Sequence, residues 1–241
     1  KARFLLPLME MKAAAGFVNG SPAVDVTRGV KDAEEQEKMR VASDINDKAM
    51  AQFKALIHEG VTEQEVADQM LDIYLSLGAE GYSFPPLVAF GANAADPHHS
   101  PDNTVIKPGD CVLFDVGCIK DGYCSDMTRT FYFKTVSDEH RKVYETAKAA
   151  NETAISKIHP GVEIRNLDKA ARDVISEAGY GEYFTHRLGH SIGMQAHEAG
   201  DVSQGNSAEV QEGMTFSIEP GIYLPGKFGV RVEDLVLVTA D

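Results

Sequence analysis

The sequence predicts an α+β domain in which helices cover a curved, mostly antiparallel sheet. The first observation is the order of the elements: two amphipathic helices followed by strands occur twice along the chain, which predicts two pseudo-symmetric halves. The second is a β-hairpin signal at Asp121-Gly122, between two strand-like segments. The third is size, because 241 residues with 43% hydrophobic side chains can bury a substantial core.

Four amphipathic helices are predicted from capping residues and from apolar side chains at helical spacing. Asp32 with Glu35, and Thr62 with Glu65, form two capping boxes, in which side chains satisfy backbone groups of the first turn. Ser137 caps the third helix, and a glycine or proline marks the end of each one. The helices are expected over residues 32–60, 62–78, 137–158 and 164–178.

Strands are predicted where short apolar or β-branched runs lie between turn residues. The run at 112–117 carries one acid, Asp115, among apolar side chains, and the run at 123–133 is rich in threonine and aromatic residues. Residues 191–213 show little hydrophobic pattern and are expected to form a loop. The strands are expected over residues 83–91, 112–117, 123–133, 183–188, 214–219 and 230–239.

The predicted central hairpin brings two acids together. With the turn centred on residues 121–122, Asp115 faces Thr128, and Asp126 lies diagonally from Asp115 on the same face of the hairpin. Two carboxylates held together on a largely apolar hairpin are unfavourable unless a positive group lies between them. The hairpin therefore predicts a metal site, and the alternative is a solvated edge at which both acids face water.

Composition excludes several classes of partner. The chain has 23 basic and 37 acidic residues and a net charge of -14, which argues against a nucleic acid or an anionic membrane as the partner. No run approaches the ~20 apolar residues of a membrane helix. The three cysteines, Cys111, Cys118 and Cys124, cannot form a disulfide framework, so a reducing, cytoplasmic location is expected.

Three more side chains extend the candidate metal site. His190 lies in a glycine-flanked segment, whereas Glu219 and Glu233 lie within or at the end of apolar strands, where a charge needs a partner. One imidazole with four carboxylates is an oxygen-rich ligand set that suits Mn²⁺, Fe²⁺ or Co²⁺ better than a structural Zn²⁺. Four negative charges balance two divalent ions, which predicts a two-metal hydrolase.

The motifs around these five residues read FDVG at 114–117, CSDMTRTF at 124–131, GHSIG at 189–193, IEPGIY at 218–223 and RVED at 231–234. Together they resemble the pita-bread metallopeptidases, which include Xaa-Pro aminopeptidases, prolidases, methionine aminopeptidases and creatinase. The resemblance spans the chain from about residue 30 to its end and implies the pita-bread fold. It also implies two divalent metal ions, with Mn²⁺ favoured and Co²⁺, Zn²⁺ or Fe²⁺ as alternatives.

The resemblance implies a role for each metal ligand. Asp115 would chelate one ion, Asp126 and Glu233 would bridge both, and His190 and Glu219 would complete the second site. A hydroxide between the ions would attack the scissile carbonyl. Glu219 would also act in catalysis by carrying a proton to the leaving nitrogen.

The resemblance also implies catalytic and substrate-binding groups outside the metal set. His98 and His197 match the two active-site histidines, with the neighbouring His99 as the competing choice for the first. His186 matches a substrate-side histidine of the Xaa-Pro branch, and an ordinary hydrogen-bonded histidine is the alternative. Arg231 would orient a bridging carboxylate or bind substrate, and a plain salt bridge near the metals is the alternative.

The RVED motif favours the Xaa-Pro branch, so the expected substrate is a peptide with a free N-terminus and proline as its second residue. The expected enzyme is an Xaa-Pro aminopeptidase or prolidase, and a homodimer is the expected assembly. Residues 1–30 would be a tail or linker, the remnant of a missing N-terminal domain, and residues 31–241 the catalytic domain. The alternatives are a methionine or general aminopeptidase and a catalytically dead binding module on the same fold.

Overall fold

The structure is a computed structural model that describes residues 2–12 and 14–240, so positions 1, 13 and 241 of the predicted ranges lie outside it. Both predicted capping boxes are present, at Asp32 and Thr62. The predicted helices are confirmed, although the first ends before Gly60, and the predicted tail contains two further helices. The α-helices are α1 (Ala2–Glu10), α2 (Ser21–Gly29), α3 (Ala33–Ala55), α4 (Glu63–Ser76), α5 (Asp138–Ile155) and α6 (Ile164–Glu177).

Every strand pair among the described residues is antiparallel, as predicted. The strands are short, and β3 lies between β2 and β6 at the centre of the fold. The strands are β1 (Gly81–Tyr82), β2 (Leu87–Phe90), β3 (Cys111–Val116), β4 (Cys118–Lys120), β5 (Tyr123–Cys124), β6 (Met127–Tyr132), β7 (Gly189–His190), β8 (Asp201–Val202), β9 (Thr215–Ile218), β10 (Gly221–Leu224), β11 (Phe228–Arg231) and β12 (Asp234–Leu237).

The central hairpin has the predicted register. Asp115 pairs with Thr128, and the turn residues Asp121 and Gly122 both have positive φ, at 50° and 77°, as a two-residue hairpin turn requires. The hairpin is interrupted at Gly117, where a Cβ atom would lie 2.1 Å from the carbonyl oxygen of Ser125. This close approach lies where β3 ends and β6 begins, next to Asp115 and Asp126. Strands β4 and β5 continue the hairpin beyond it.

Several strand predictions differ from the structure, and the predicted loop 191–213 contains the short strand β8. The segment 183–188 is not a strand, because Arg172 donates from Nη1 to the carbonyl oxygen of Phe184 and from Nη2 to that of His186. The predicted strand 230–239 is two strands that pair with different partners, β11 with β10 and β12 with β9. Strand β10 was not predicted, and the run 83–91 forms a strand only over β2.

Two large hydrophobic clusters make up most of the described core beside a small third one, and each large cluster contains one pair of helices. Helices α3 and α4 pack against one cluster, which includes Val112 and Phe114 of β3. Helices α5 and α6 pack against the other, which includes Leu113 of β3 together with residues of β9, β10 and β11. Alternate side chains of β3 therefore enter opposite clusters, as a strand buried on both faces requires. Among the described residues, no helix combines the length and the apolarity that a membrane crossing requires.

Candidate metal centre and substrate cavity

All five predicted metal ligands line one cavity of about 1140 Å³. Asp115 lies on β3, and Asp126 lies at the hairpin interruption between β5 and β6. His190 ends β7, Glu219 follows β9, and Glu233 occupies the break between β11 and β12. The cavity thus receives ligands from both halves of the chain, and the strand breaks turn two of the carboxylates toward it.

The innermost ligands lie close enough to share a cation. Nε2 of His190 is 3.5 Å from Oδ2 of Asp126 and 3.4 Å from Oε1 of Glu219. One ligand atom from each of Asp126, His190 and Glu233 lies within 4.8 Å of the others, and all three side chains are buried. A single divalent ion can therefore contact all three residues at the distances that nitrogen and oxygen ligands adopt.

Unsatisfied carboxylate oxygens test whether the residues fit a metal. Oδ1 of Asp115, Oδ1 of Asp126 and Oε1 of Glu233 are buried and have no hydrogen-bond partner. Buried acceptors without donors cost free energy, and buried carboxylates cost more. Divalent ions would supply the missing partners, and oxygen donors with one imidazole and no thiolate suit Mn²⁺, Fe²⁺ or Co²⁺. The donor set therefore fits the predicted metals.

The electrostatics of the same residues agree with this fit. Burial is the largest cause that raises the pKa of Asp126 and of Glu233 well above the usual values, and the neighbouring carboxylates raise both further. Burial also raises the pKa of Glu219. Without a counter-charge these carboxyl groups favour their neutral form, whereas bound cations favour the charged form that ligates metal.

The buried Arg231 orients two of the ligands. Its Nη2 atom donates to Oδ2 of Asp115 at 2.6 Å, and its Nε atom donates to Oγ1 of Thr128 at 2.9 Å. The Thr128 hydroxyl in turn donates to Oε2 of Glu233 at 2.7 Å. Arg231 thus contacts Asp115 directly and reaches Glu233 through Thr128, which leaves one oxygen of each carboxylate for a metal.

Tyr223 joins Arg231 to His186, and sequence reasoning missed it. Its hydroxyl accepts from Nη1 of Arg231 at 2.8 Å and lies 2.8 Å from Nε2 of His186, whose Nδ1 donates to the carbonyl oxygen of Arg187. Burial lowers the pKa of His186 to about 4, so this imidazole is neutral near pH 7 and accepts from Tyr223. The signal was present in the IEPGIY motif, of which only the glutamate was used.

His98 and His99 both line the cavity but differ in their partners. The backbone N of His98 donates to Oδ1 of Asp96 at 2.9 Å, and its exposed imidazole has no hydrogen bond among the described residues. His99 lies with its Nε2 atom 2.7 Å from Oε2 of the buried Glu63. His197 is exposed to the cavity as well, and its ring centre lies 4.2 Å from that of His190.

The buried Glu63 forms a second cluster with the half-buried His99 and the exposed Asp102, outside the predicted ligand set. Its Oε1 atom accepts from the backbone N of Phe90 at 2.7 Å and from Nδ2 of Asn93 at 3.0 Å. Its Oε2 atom accepts from the backbone N of Asp102 at 3.1 Å and from Nε2 of His99 at 2.7 Å. Four donors satisfy both oxygens, so this cluster anchors the loop around it and leaves no acceptor for a metal.

Residues 37–240 match the sequence profile of metallopeptidase family M24. The chain belongs to this family. The predicted pita-bread fold is confirmed by the match to the prolidase from Pyrococcus furiosus, with 36% identity and a TM-score of 0.95 over 98% of this chain and 70% of that one. The X-Pro aminopeptidase from Thermotoga maritima matches with 38% identity and a TM-score of 0.90, over 93% of this chain and 64% of that one.

Among curated relatives, this M24 chain is 43% identical over 235 residues to the putative dipeptidase YkvY of Bacillus subtilis. The match covers 96% of this chain and 65% of that relative, so the chain spans about two thirds of the length of the protein it resembles. The region that matches the family profile, residues 37–240, contains the whole cavity described above, because all of its lining residues lie between Gln64 and Glu233.

Proposed function

We propose that this chain is a metal-dependent exopeptidase that hydrolyses the bond between an N-terminal residue and a following proline. The observation that carries the proposal is the convergence of four carboxylates and one imidazole on one cavity, with three buried carboxylate oxygens left without donors. The similar proteins, a putative dipeptidase, a prolidase and an X-Pro aminopeptidase, support the same reaction class.

Two divalent ions, held by Asp115, Asp126, His190, Glu219 and Glu233, would supply a water that is nucleophilic at neutral pH and would polarise the scissile carbonyl. Among these carboxylates, Glu219 is the best placed to move a proton. Its side chain is 16% exposed toward the cavity, whereas those of Asp126 and Glu233 are almost completely buried. Asp115 is also partly exposed, but it is paired with Arg231. Glu219 therefore takes a proton from the attacking water and delivers it to the leaving nitrogen.

His98 and His197 contact the substrate in this proposal. His98 carries an imidazole without a hydrogen-bond partner among the described residues, and we assign it, rather than His99, to the substrate carbonyl or the developing oxyanion. His99 is hydrogen-bonded to Glu63 and helps to anchor the loop. Arg231, together with Tyr223 and His186, holds Asp115 in place.

Specificity for proline rests on shape, because the proline nitrogen has no N–H to be recognised. One wall of the cavity is apolar and rigid, which suits the pyrrolidine ring better than a charged side chain. This wall consists of Tyr82, Phe84, Pro85, Pro86 and Leu87.

The test is a peptide panel with the purified protein after metals are removed and added back. We expect release of the first residue from Ala-Pro and from longer peptides that begin Ala-Pro, with Mn²⁺ giving the highest rate among Mn²⁺, Co²⁺, Zn²⁺ and Fe²⁺. Faster turnover of Met-Ala would favour the methionine or general aminopeptidase. Absence of turnover on every Xaa-Pro peptide with all four metals would reject the proposal.

The alternative without catalysis is a binding module on the same fold. It predicts that the purified protein retains no metal, because such a module has no need for the ligands. The retention of all five ligand side chains around one cavity argues against it. The homodimer and the cytoplasmic location stay predictions of the sequence.

A further inference from the structure

A buried charge cluster outside the metal centre joins the N-terminal part of the chain to the loop that carries His197. Its members are Arg28 in α2, Lys31 and Glu198. The side chains of Lys31 and Glu198 are only 2% and 5% exposed. Burying such an ion pair gives little net stability, because the loss of hydration offsets the attraction. The location of the cluster therefore points to a role other than stability alone.

Glu198 closes its own loop through both side chain and backbone. Its Oε1 atom accepts from Nη2 of Arg28 and from the backbone N of Met194, the latter at 2.9 Å. Its backbone N donates to the carbonyl oxygen of Ser191 at 2.9 Å. A Cβ atom at Gly193 would lie 2.9 Å from Oε1, so the glycine permits the close approach of this carboxylate to the loop backbone.

Both sides of the cluster are fixed to the sheet. The backbone N of Lys31 donates to the carbonyl oxygen of Gly213 at 2.8 Å, just before β9. On the other side, the carbonyl oxygen of Gly193 accepts from the backbone N of Cys124 at 2.8 Å, two residues before the metal ligand Asp126. The Lys31 ammonium, 3.3 Å from Oε2 of Glu198, links these two fixed points.

We propose that Glu198, held by Lys31 and Arg28, is a positioning residue for His197. His197 immediately precedes Glu198, lines the cavity, and lies with its ring centre 4.2 Å from that of His190. Because the His197 side chain has no hydrogen bond of its own among the described residues, its location depends on the loop backbone. The inference rests on the proposed function, in which His197 contacts the substrate.

A double-mutant cycle separates positioning of His197 from a general structural role. Glu198→Gln keeps the shape of the side chain and an acceptor for Met194, but removes the charge that Lys31 and Arg28 hold. We expect kcat for Ala-Pro to fall about 10-fold and KM to change less than about 2-fold. A small misplacement of His197 weakens its contact with the transition state more than its contact with the bound substrate. In a His197→Ala background, the same substitution should lower kcat less than about 2-fold further.

Two comparisons control for loss of charge. Glu163→Gln removes an exposed carboxylate that pairs with Arg165 at 2.7 Å, away from the cavity, and should leave kcat and KM unchanged. Lys31→Arg, which keeps the cation, should retain more activity than Lys31→Met. If Glu198→Gln does not fold, the cycle is run with Lys31→Met instead. If Glu198→Gln lowers kcat by the same factor in the wild-type and His197→Ala backgrounds, the proposal is overturned.

Hydrogen exchange provides a readout that does not depend on activity. In Glu198→Gln the amides of residues 191–200 should exchange faster, while those of α5 and α6 stay unchanged. Unchanged exchange in the loop would overturn the positioning role even if the chain hydrolysed no peptide. Failure of the wild-type chain on every Xaa-Pro peptide, with the loop exchange raised as expected, would instead reject the proposed function.

Discussion

Two acid and histidine clusters among the described residues, each built around a buried carboxylate, have similar composition but opposite chemistry. In the Glu63 cluster, four donors satisfy both carboxylate oxygens. In the proposed metal centre, one buried oxygen on each of three carboxylates has no donor. The first cluster holds a loop without any further partner, whereas the second needs cations. The number of donors that reach each oxygen, rather than burial or residue type, distinguishes an anchor from a metal site.

The largest expected effect comes from removing a ligand. Glu233→Gln replaces a fully buried carboxylate with a neutral amide between β11 and β12, and should lower kcat/KM for Ala-Pro by about 10³-fold or more, because the metal loses a charged ligand. Steady-state kinetics at saturating Mn²⁺ measures this effect. Activity within 10-fold of wild type would place the metals elsewhere.

The matched change in the other cluster should act on stability instead. Glu63→Ala leaves the backbone N–H groups of Phe90 and Asp102 and the His99 side chain without their acceptor, and should lower the free energy of unfolding by about 3 kcal/mol. Urea denaturation measures the change. Metal content should stay at the wild-type value, and a loss of metal in this variant would contradict the distinction between the two clusters.

Removing the guanidinium that orients the ligands should have an intermediate effect. In Arg231→Lys a single ammonium can reach Asp115 but cannot also contact Thr128 and Tyr223, so kcat/KM should fall about 10- to 100-fold. The fold should be retained, as judged by far-UV circular dichroism. A variant with full activity would show that this network does not serve the metal site.

The smallest expected effect is a difference in pH dependence between the metal-free and metal-loaded forms. The folded-state pKa values of Asp126, Glu219 and Glu233 are raised, so each group contributes stability that is full below its unfolded pKa of about 4 and is lost as the pH rises through its folded pKa. Bound cations favour the ionised carboxylates, so the loaded protein does not lose this stability as the pH rises.

We therefore expect the metal-free protein to lose at least about 1 kcal/mol of stability between pH 5 and pH 8, relative to the loaded protein. Urea denaturation of both forms across this range measures the difference. The lowered pKa of His186 affects both forms alike and cancels in the comparison. Parallel curves for the two forms would show that no cation neutralises these carboxylates.

Local signals made most of the fold predictable, together with the convergence of the five proposed ligands on one cavity. The Asp-Gly turn fixed the register that pairs Asp115 with Thr128, and the capping boxes at Asp32 and Thr62 marked two helix starts. The break at Glu233 was not visible in an apolar run, because the chain leaves the strand to bond its backbone N to the carbonyl oxygen of Thr128, over 100 positions earlier in the sequence.

The anchor at Glu63 also escaped prediction, for a related reason. Acidic residues are common in the first turn of a helix, because a negative charge interacts favourably with the helix dipole there. Its four donors come from residues 90–102, which only the folded chain brings to it. Contacts between distant segments thus explain the missed anchor.

Elemental analysis of metal content tests the central distinction most directly. The wild-type chain, purified, stripped and reloaded with Mn²⁺, should hold two ions per chain, and Glu63→Gln should hold the same number. Asp126→Asn, which alters a proposed bridging ligand, should hold at most one. Wild-type protein that binds no divalent ion under these conditions, or that loses its metal through Glu63→Gln, would contradict the account.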